Sequence, residues 1–230
     1  MRIFKFGGAS VKDANGVKNV VNVLNQVGFE NTLLVVSAMG KTTNAMETVI
    51  NNYFNDKSAI SSAIQDVLKY HNDILMDLFE NDKHPIFKQV KLLFDEVQGF
   101  LVWNKSPKYN FVYDQVIGYG ELVSTTILSA YLNEVGIKNT WLDVRDFIKT
   151  DDNYRDATVN WEKTQASISK GIDKEKLNVT QGFIGSDDNN FTTTLGREGS
   201  DYSAAIFAYC LNANEVTIWK DVPGVLNADP

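Results

Sequence analysis

Segments with the pattern of β-strands alternate along this chain with segments that have the period of α-helices, and glycine turns join many of them. Arg2 to Phe6 has the pattern of a strand and runs directly into Gly7-Gly8. The run from Thr32 to Ser37 is apolar and does not alternate, as in a strand that is buried on both faces of a parallel sheet. The alternation predicts an α/β domain with a largely parallel sheet sandwiched by helices, and ligands in such sheets bind at the carboxyl ends of the strands.

The remaining segments extend this pattern. Helical periodicity follows each glycine turn, first with Val17, Val20, Val21, Leu24 and Val27 on one face. Two long helices without a strand between them are predicted from about Ser58 to Trp103, and they resemble an insertion or a lid. Further strands are predicted at Thr140 to Asp143, Leu177 to Gly182, Phe191 to Leu195 and Val216 to Trp219. Further helices are predicted at Gly118 to Leu132 and at Trp161 to Ile172. The last predicted helix has one face that consists of Tyr202, Ala205, Ile206, Tyr209 and Cys210.

Length and charge exclude several classes of protein. The 230 residues contain only four prolines and no flexible linker, which favours one continuous domain. A net charge of −7 argues against nucleic acid as the main partner. Cys210 is the only cysteine, so neither an internal disulfide nor a cysteine-based metal cluster can form. No segment resembles a signal peptide or a membrane span, and we therefore expect a cytoplasmic protein.

The stretch from Gly196 to Ala205 has the strongest chemical character. Two glycines, Gly196 and Gly199, precede a helix start, where unpaired N–H groups and the positive end of the helix dipole attract an anion. Arg197 adds a planar cation that suits a carboxylate or a phosphate, and Asp201 adds an acid in the first helical turn. The stretch is consistent with a site for an anionic substrate. The alternative is an N-cap with a solvated arginine beside it.

Four other charged residues lie beside turns or at the ends of predicted elements, and each has two possible interpretations. Lys5 ends the first strand close to a glycine pair, where it either contacts a nucleotide phosphate or is an exposed cation at the end of a strand. Glu121 lies near a helix start, where it either interacts with the helix dipole or binds a substrate ammonium group. Asp221 and Asp229 either face a ribose or Mg²⁺, or are ordinary turn residues.

Familiar phosphate-binding motifs fail on inspection. Gly40-Lys41-Thr42 imitates the end of a P-loop, but the glycine that the pattern requires five residues earlier is Val35. Gly118-Tyr119-Gly120 lacks the third glycine of a dinucleotide fingerprint. His71 and His84 have no second ligand at metal spacing, and we interpret them as helix and cap residues.

Five motifs together are similar to those of aspartate kinases. They occur in the order typical of that family and cover essentially the whole chain: Lys5 to Val11, Val36 to Asn44, Gly120 to Ser124, Leu195 to Ala205 and Asp221 to Gly224. The resemblance implies the amino-acid kinase fold, with a helical insertion, and the phosphorylation of the side-chain carboxylate of L-aspartate by ATP and Mg²⁺. This reaction is the first step toward lysine, threonine and methionine.

The resemblance also implies a role for each matching residue. Lys5 and Asp201 would be catalytic. The residues that would bind aspartate are Thr43, Glu121, Arg197 and Ser200, and those that would contact the nucleotide are Gly7, Gly8, Ser10, Gly40, Lys220, Asp221 and Asp229. No residue is assigned as a metal ligand. Residues 1–190 would form an aspartate-binding lobe, and residues 191–230 would begin a nucleotide-binding lobe.

Some features depart from the family pattern. Glu198 replaces the usual glycine after Arg197, and Lys220 and Leu226 replace a frequent threonine and tyrosine near the nucleotide. The family continues beyond this point with more nucleotide-binding sequence and two regulatory ACT domains, through which we expect the parent protein to form homo-oligomers. We therefore expect a folded fragment with little or no kinase activity. The alternatives are an amino-acid-binding module of the same fold that has lost catalysis, and another member of the amino-acid kinase family.

Overall fold

The centre of the molecule is a parallel sheet. The computed structural model describes residues 1–196 and 198–220. Its main sheet has five strands in the order β3-β4-β2-β1-β7, and every neighbouring pair is parallel. The strands are β1 (Arg2–Phe6), β2 (Thr32–Val36), β3 (Thr140–Leu142), β4 (Asn178–Gln181) and β7 (Glu215–Trp219). A separate antiparallel pair is formed by β5 (Ile184–Ser186) and β6 (Thr192–Thr194). The predicted fold class is therefore confirmed.

Helices cover both faces of the sheet. They are α1 (Ala14–Val27), α2 (Thr42–Asn55), α3 (Ile60–Leu78), α4 (Pro85–Trp103), α5 (Tyr109–Ile117), α6 (Tyr119–Glu134), α7 (Trp161–Gly171) and α8 (Gly199–Leu211). None of the described helices is long and apolar enough to cross a bilayer.

Alternation along the central strands determines which side chains meet which helices. Phe4 and Phe6 of β1 belong to a core that also includes buried residues of α1 to α6. Ile3 of β1 belongs to a second core, together with buried residues of α7 and α8. Because side chains alternate along a strand, Lys5 lies on the same face as Ile3 and is directed toward α8. The position of Lys5 thus follows from its register in β1.

The two long helices α3 and α4 are part of the main core. Val67 and Leu75 of α3, and Val90 and Phe94 of α4, are buried in the same core as Phe4 of the central strand. This packing is that of an insertion that completes a helical layer. It does not fit a lid, because a lid must separate from the body of the protein to open.

The buried face of α8 differs from the predicted one. Ile206 and Cys210 are buried as expected, but Tyr202 is 40% exposed and Tyr209 is 68% exposed. The buried positions also include Ser203, Ala204, Phe207 and Leu211. Tyr209 instead packs edge-on against Trp161 of α7, with ring centroids 5.5 Å apart. Helical periodicity was an unreliable guide here, because small and apolar residues occur all around this helix.

Candidate active site

Two glycine turns meet where β1 and β2 end. The Gly40 N–H donates a hydrogen bond to the Gly8 carbonyl at 3.0 Å. A Cβ on Gly8 would lie only 2.5 Å from the carbonyl oxygen of Ala38, so no other residue fits there without moving the backbone. Gly40 itself has a φ of +54°, in the left-handed region. The turn residues predicted from sequence thus lie against one another at the carboxyl edge of the sheet.

A partly buried ion pair lies beside these turns. The Lys5 ammonium is 2.7 Å from Oδ1 of Asp201, and the two side chains are 10% and 25% exposed. Asp201 lies in the first turn of α8, so it reaches the sheet from the helix that covers this face. The Lys5 Nζ is also close to Gly7, where a Cβ would be 3.6 Å away. A cation held at this position is directed toward any anion that binds on the glycine turns.

Glu121 places a buried carboxyl next to the same edge. It lies in the first turn of α6 and is 3% exposed. Its Oε1 accepts a hydrogen bond from the Ala38 N–H at 3.2 Å, whereas no described residue hydrogen-bonds to its buried Oε2. Burial raises the pKa of Glu121 to about 8, despite the opposing hydrogen bond from Ala38. A buried acceptor without a partner is costly in the free protein and is available to a ligand.

These groups share one cavity of about 290 Å³. Its walls are formed by Lys5, Ser37, Thr43, Glu121, Phe183, Gly196, Glu198, Gly199, Ser200 and Asp201. The structure thus brings together five of the six residues predicted for catalysis and aspartate binding. The sixth, Arg197, lies outside the described residues, although its neighbours Gly196 and Glu198 both line the cavity.

The residues predicted to contact the nucleotide are more dispersed. Gly7 lies near Lys5, and Gly8 and Gly40 lie against each other, as described above. Ser10 and Lys220 line a different cavity of about 320 Å³, where Trp219 is a neighbour of both. Asp221 and Asp229 lie outside the described residues. The nucleotide contacts therefore remain a prediction.

Two cavities more than twice the size of this one lack its chemistry. One, of about 710 Å³, touches Gly40, Lys41 and Tyr70, and another, of about 680 Å³, lies between α4 and α6. We favour the smaller cavity as the active site because it holds an ion pair and a buried carboxyl whose pKa is strongly perturbed, as is common at functional sites.

Sequence reasoning missed two residues of the cavity wall, Ser37 and Phe183. Ser37 follows the end of β2, and Phe183 follows the end of β4. Gly182, which precedes Phe183, packs closely against the start of α8, because a Cβ on Gly182 would lie 2.7 Å from the Ser200 side chain. The rule that ligands bind at the carboxyl ends of parallel strands would have identified both positions.

Known proteins are similar to this chain in sequence and in fold. A family model described as the amino acid kinase family matches residues 1–230. A bifunctional aspartokinase/homoserine dehydrogenase 2, chloroplastic, of Arabidopsis thaliana is 32% identical over 99% of this chain and 26% of its own length. Two crystal structures of E. coli aspartokinase III are similar, one with lysine and aspartate (28% identity, TM-score 0.88, 98% of this chain) and one with aspartate and ADP (29%, 0.87, 97%).

The chain spans half of each of those two aspartokinase chains and about a quarter of the plant protein. Within that span the family match is continuous from the first residue to the last. Four of the five motifs on which the resemblance to aspartate kinases rests contribute residues to the cavity at the carboxyl edge of the sheet, and the fifth, Asp221 to Gly224, lies outside the described residues. The chain belongs to the amino acid kinase family.

Proposed function

We propose that this chain carries the aspartate-binding and phosphoryl-transfer site of an aspartate kinase, which phosphorylates the side-chain carboxylate of L-aspartate with ATP. The observation that carries the proposal is the single cavity that joins the Lys5–Asp201 pair to the unpartnered carboxyl of Glu121. The similarity to an aspartokinase crystallised with aspartate and ADP supports the choice of substrates.

Aspartate matches the charges of the cavity. Its α-ammonium group would donate to Glu121 Oε2, which lacks a partner among the described residues. Its α-carboxylate would bind Arg197, as the resemblance implies, and Thr43 and Ser200 would hold the side chain from two walls of the cavity. This arrangement leaves the β-carboxylate facing the Lys5 end of the cavity.

The transfer itself needs little acid–base chemistry. At neutral pH the β-carboxylate is already ionised, and one of its oxygens attacks the γ-phosphorus while the bond from phosphorus to the ADP oxygen breaks. Lys5 would neutralise charge on the transferring group, and Asp201 would hold the Lys5 ammonium in place at 2.7 Å. Catalysis then depends on positioning and on fixed charge.

The described residues fit a Mg²⁺ ion that arrives with ATP. Residues 1–196 and 198–220 contain no group of three or more His, Cys, Asp or Glu side chains able to hold a metal by themselves. Mg²⁺ in kinases is usually bound by one or two carboxylates and the phosphates of the substrate, and Asp201 is a carboxylate at the cavity. When bound, Mg²⁺ would neutralise phosphate charge. Gly7, Gly8 and Gly40 would approach the phosphates through their backbone.

Trapping the product with hydroxylamine tests the proposal. An acyl phosphate reacts with hydroxylamine to form a hydroxamate, so incubation with ATP, Mg²⁺ and L-aspartate should yield aspartyl hydroxamate together with one ADP, at a low rate from residues 1–230 alone. L-Glutamate, D-aspartate and a Lys5→Ala variant are the controls, and none should yield the product at a comparable rate. Aspartate binding without any hydroxamate, even from a longer chain that contains residues 1–230, would favour the alternative of a non-catalytic amino-acid-binding module. A lack of aspartate binding would contradict the proposal itself.

A further inference from the structure

A second buried carboxylate lies behind the turn that leads into α8. Asp114 of α5 is fully buried. Its Oδ2 accepts hydrogen bonds from the Arg155 N–H at 3.0 Å and from the Thr194 N–H at 2.9 Å, and its Oδ1 accepts one from the Thr194 hydroxyl at 2.9 Å. An ionised carboxylate only accepts hydrogen bonds, so these three donors match it well. Burial raises the pKa of Asp114 to about 6, which leaves it ionised at neutral pH.

Both hydrogen-bond partners of Asp114 adjoin the turn that leads into α8. Thr194 ends β6, two residues before Gly196, which lines the cavity. The segment that contains Arg155 packs against Gly196 from outside. A Cβ on Gly196 would lie 2.7 Å from Oδ1 of Asp156 and 3.6 Å from the Arg155 carbonyl oxygen. The two segments are also joined directly, because the Ala157 N–H donates to the Thr194 carbonyl at 2.9 Å.

The turn and the segment that packs against it need such support because each contains strained backbone. Arg155 and Glu198 have φ values of +77° and +57°, which side chains with a Cβ rarely adopt. Gly196 also has a positive φ, of +75°. Backbone of this kind persists only when its surroundings fix it.

We infer that Asp114 is a positioning residue for aspartate binding. By accepting hydrogen bonds from Arg155 and Thr194, it fixes the strand that leads into Gly196 and the segment that packs against Gly196. It thereby helps to set the place of Ser200 and of Arg197. Asp114 does not line the cavity, so it acts through these neighbours. The inference rests on the proposed function, because it assigns Asp114 to the site at which aspartate is proposed to bind.

Gln115 provides a matched control in the same contact between α5 and β6. Its side-chain amide donates to the Thr192 carbonyl at 2.8 Å and accepts from the Thr192 N–H at 3.1 Å. Gln115 thus joins the same two elements, but at the end of β6 farther from Gly196. If the role of Asp114 is purely structural, replacing either residue with alanine should have similar effects on stability and on aspartate binding.

The experiment measures L-aspartate binding by calorimetry at pH 7.5 and thermal stability for the same proteins. Asp114→Ala should weaken binding about tenfold or more, because the buried N–H of Thr194 and the partly buried N–H of Arg155 lose their acceptor. Asp114→Asn should bind within about threefold of wild type, since its amide oxygen can accept both N–H groups while its NH₂ donates to the Thr194 hydroxyl. Gln115→Ala should melt at a lower temperature yet also bind within about threefold of wild type.

Three results would overturn the inference: unchanged binding by Asp114→Ala, failure of Asp114→Asn to restore binding, or an equal loss of binding in Gln115→Ala. If Asp114→Ala does not fold, the pair Thr194→Val and Thr194→Ser replaces it. The valine variant should bind at least about threefold more weakly than the serine variant, and equal affinities would contradict us. A wild-type chain that fails to bind aspartate would contradict the proposed function as well, whereas the other outcomes concern Asp114 alone.

Discussion

Because the carboxyl of Glu121 is buried, we predict that aspartate binds more tightly as the pH rises toward 8. Burial raises the pKa of Glu121 to about 8, so this side chain is mostly protonated in the free protein at neutral pH. Only the ionised form can pair with the ammonium group of aspartate. Binding at pH 7 must therefore remove the proton from Glu121, and the affinity includes the cost of that removal.

The pKa fixes the size of the effect. Below about pH 8 the ionised fraction of Glu121 rises about tenfold for each unit by which the pH rises. The Kd for aspartate should therefore decrease about tenfold for each unit as the pH is raised from 6 to 7.5. Close to one proton should be released per aspartate bound at pH 7. The ordinary pKa of a glutamate is 4.5, so the shift corresponds to roughly 5 kcal/mol of folding free energy at most.

The raised pKa of Glu121 also determines how the stability of the free protein changes with pH. The folded chain holds a proton on Glu121 that the unfolded chain has released, so stability that is full below pH 4.5 is lost as the pH rises through about 8. The pKa of Asp114 is also raised, to about 6, so the contribution of Asp114 to stability is likewise lost as the pH rises toward 6. The pKa of His71 is lowered to about 4 by burial, and its contribution is lost as the pH falls from 6.5. Comparing the pH dependence of the free energy of unfolding of wild type with that of Glu121→Gln isolates the contribution of Glu121.

Calorimetry in two buffers tests this prediction. Titrations at pH 7 in buffers with different heats of ionisation count the protons released, and titrations from pH 6 to 8 give the change in Kd. Glu121→Gln should bind aspartate at least about tenfold more weakly and with no pH dependence, because it cannot carry the charge. Glu198→Gln, which neutralises an exposed carboxyl of the same cavity, should keep the pH dependence. A Kd that is constant from pH 6 to 8, without proton release, would refute the reasoning.

Three further predictions concern the rest of the site. Lys5→Ala should reduce kcat by about 10² to 10³ with little change in aspartate affinity, because the charge is needed most during transfer, and a normal rate in the hydroxamate assay would contradict its role. Arg197→Ala should weaken aspartate binding by about 2 to 5 kcal/mol and leave ATP binding nearly unchanged, and an unaltered aspartate Kd would remove Arg197 from the site. Glu198→Gly should raise the free energy of unfolding by up to about 1 kcal/mol, because φ is +57° at this position, and a lower urea midpoint would show that the side chain makes a contact we have overlooked.

Much of the fold followed from simple patterns. The β1 and β2 segments were recognisable because buried parallel strands are short apolar runs, and each is followed by a turn that contains glycine. The helix α5 was missed, although Val112, Val116 and Ile117 are buried at helical spacing, because it has only nine residues. The strand β5 was also missed, since three residues that include Gly185 carry too little pattern to indicate a strand.

The site was predictable where its chemistry is local. Lys5 and Asp201 were identified by their places beside glycine turns, and the structure pairs them. The missing partner of Glu121 Oε2 and the three donors around Asp114 were not predictable, because they depend on segments that are distant in sequence. Thr194 is 80 residues away from Asp114. Periodicity describes single elements, whereas burial of a polar atom is a property of the packed molecule.

A crystal structure of the chain with L-aspartate would test the central claim most directly. Our account predicts one aspartate in the cavity of about 290 Å³, with its ammonium nitrogen about 3 Å from Glu121 Oε2 and its β-carboxylate directed toward Lys5 Nζ. Aspartate bound in another cavity, or bound here with the β-carboxylate turned away from Lys5, would contradict it.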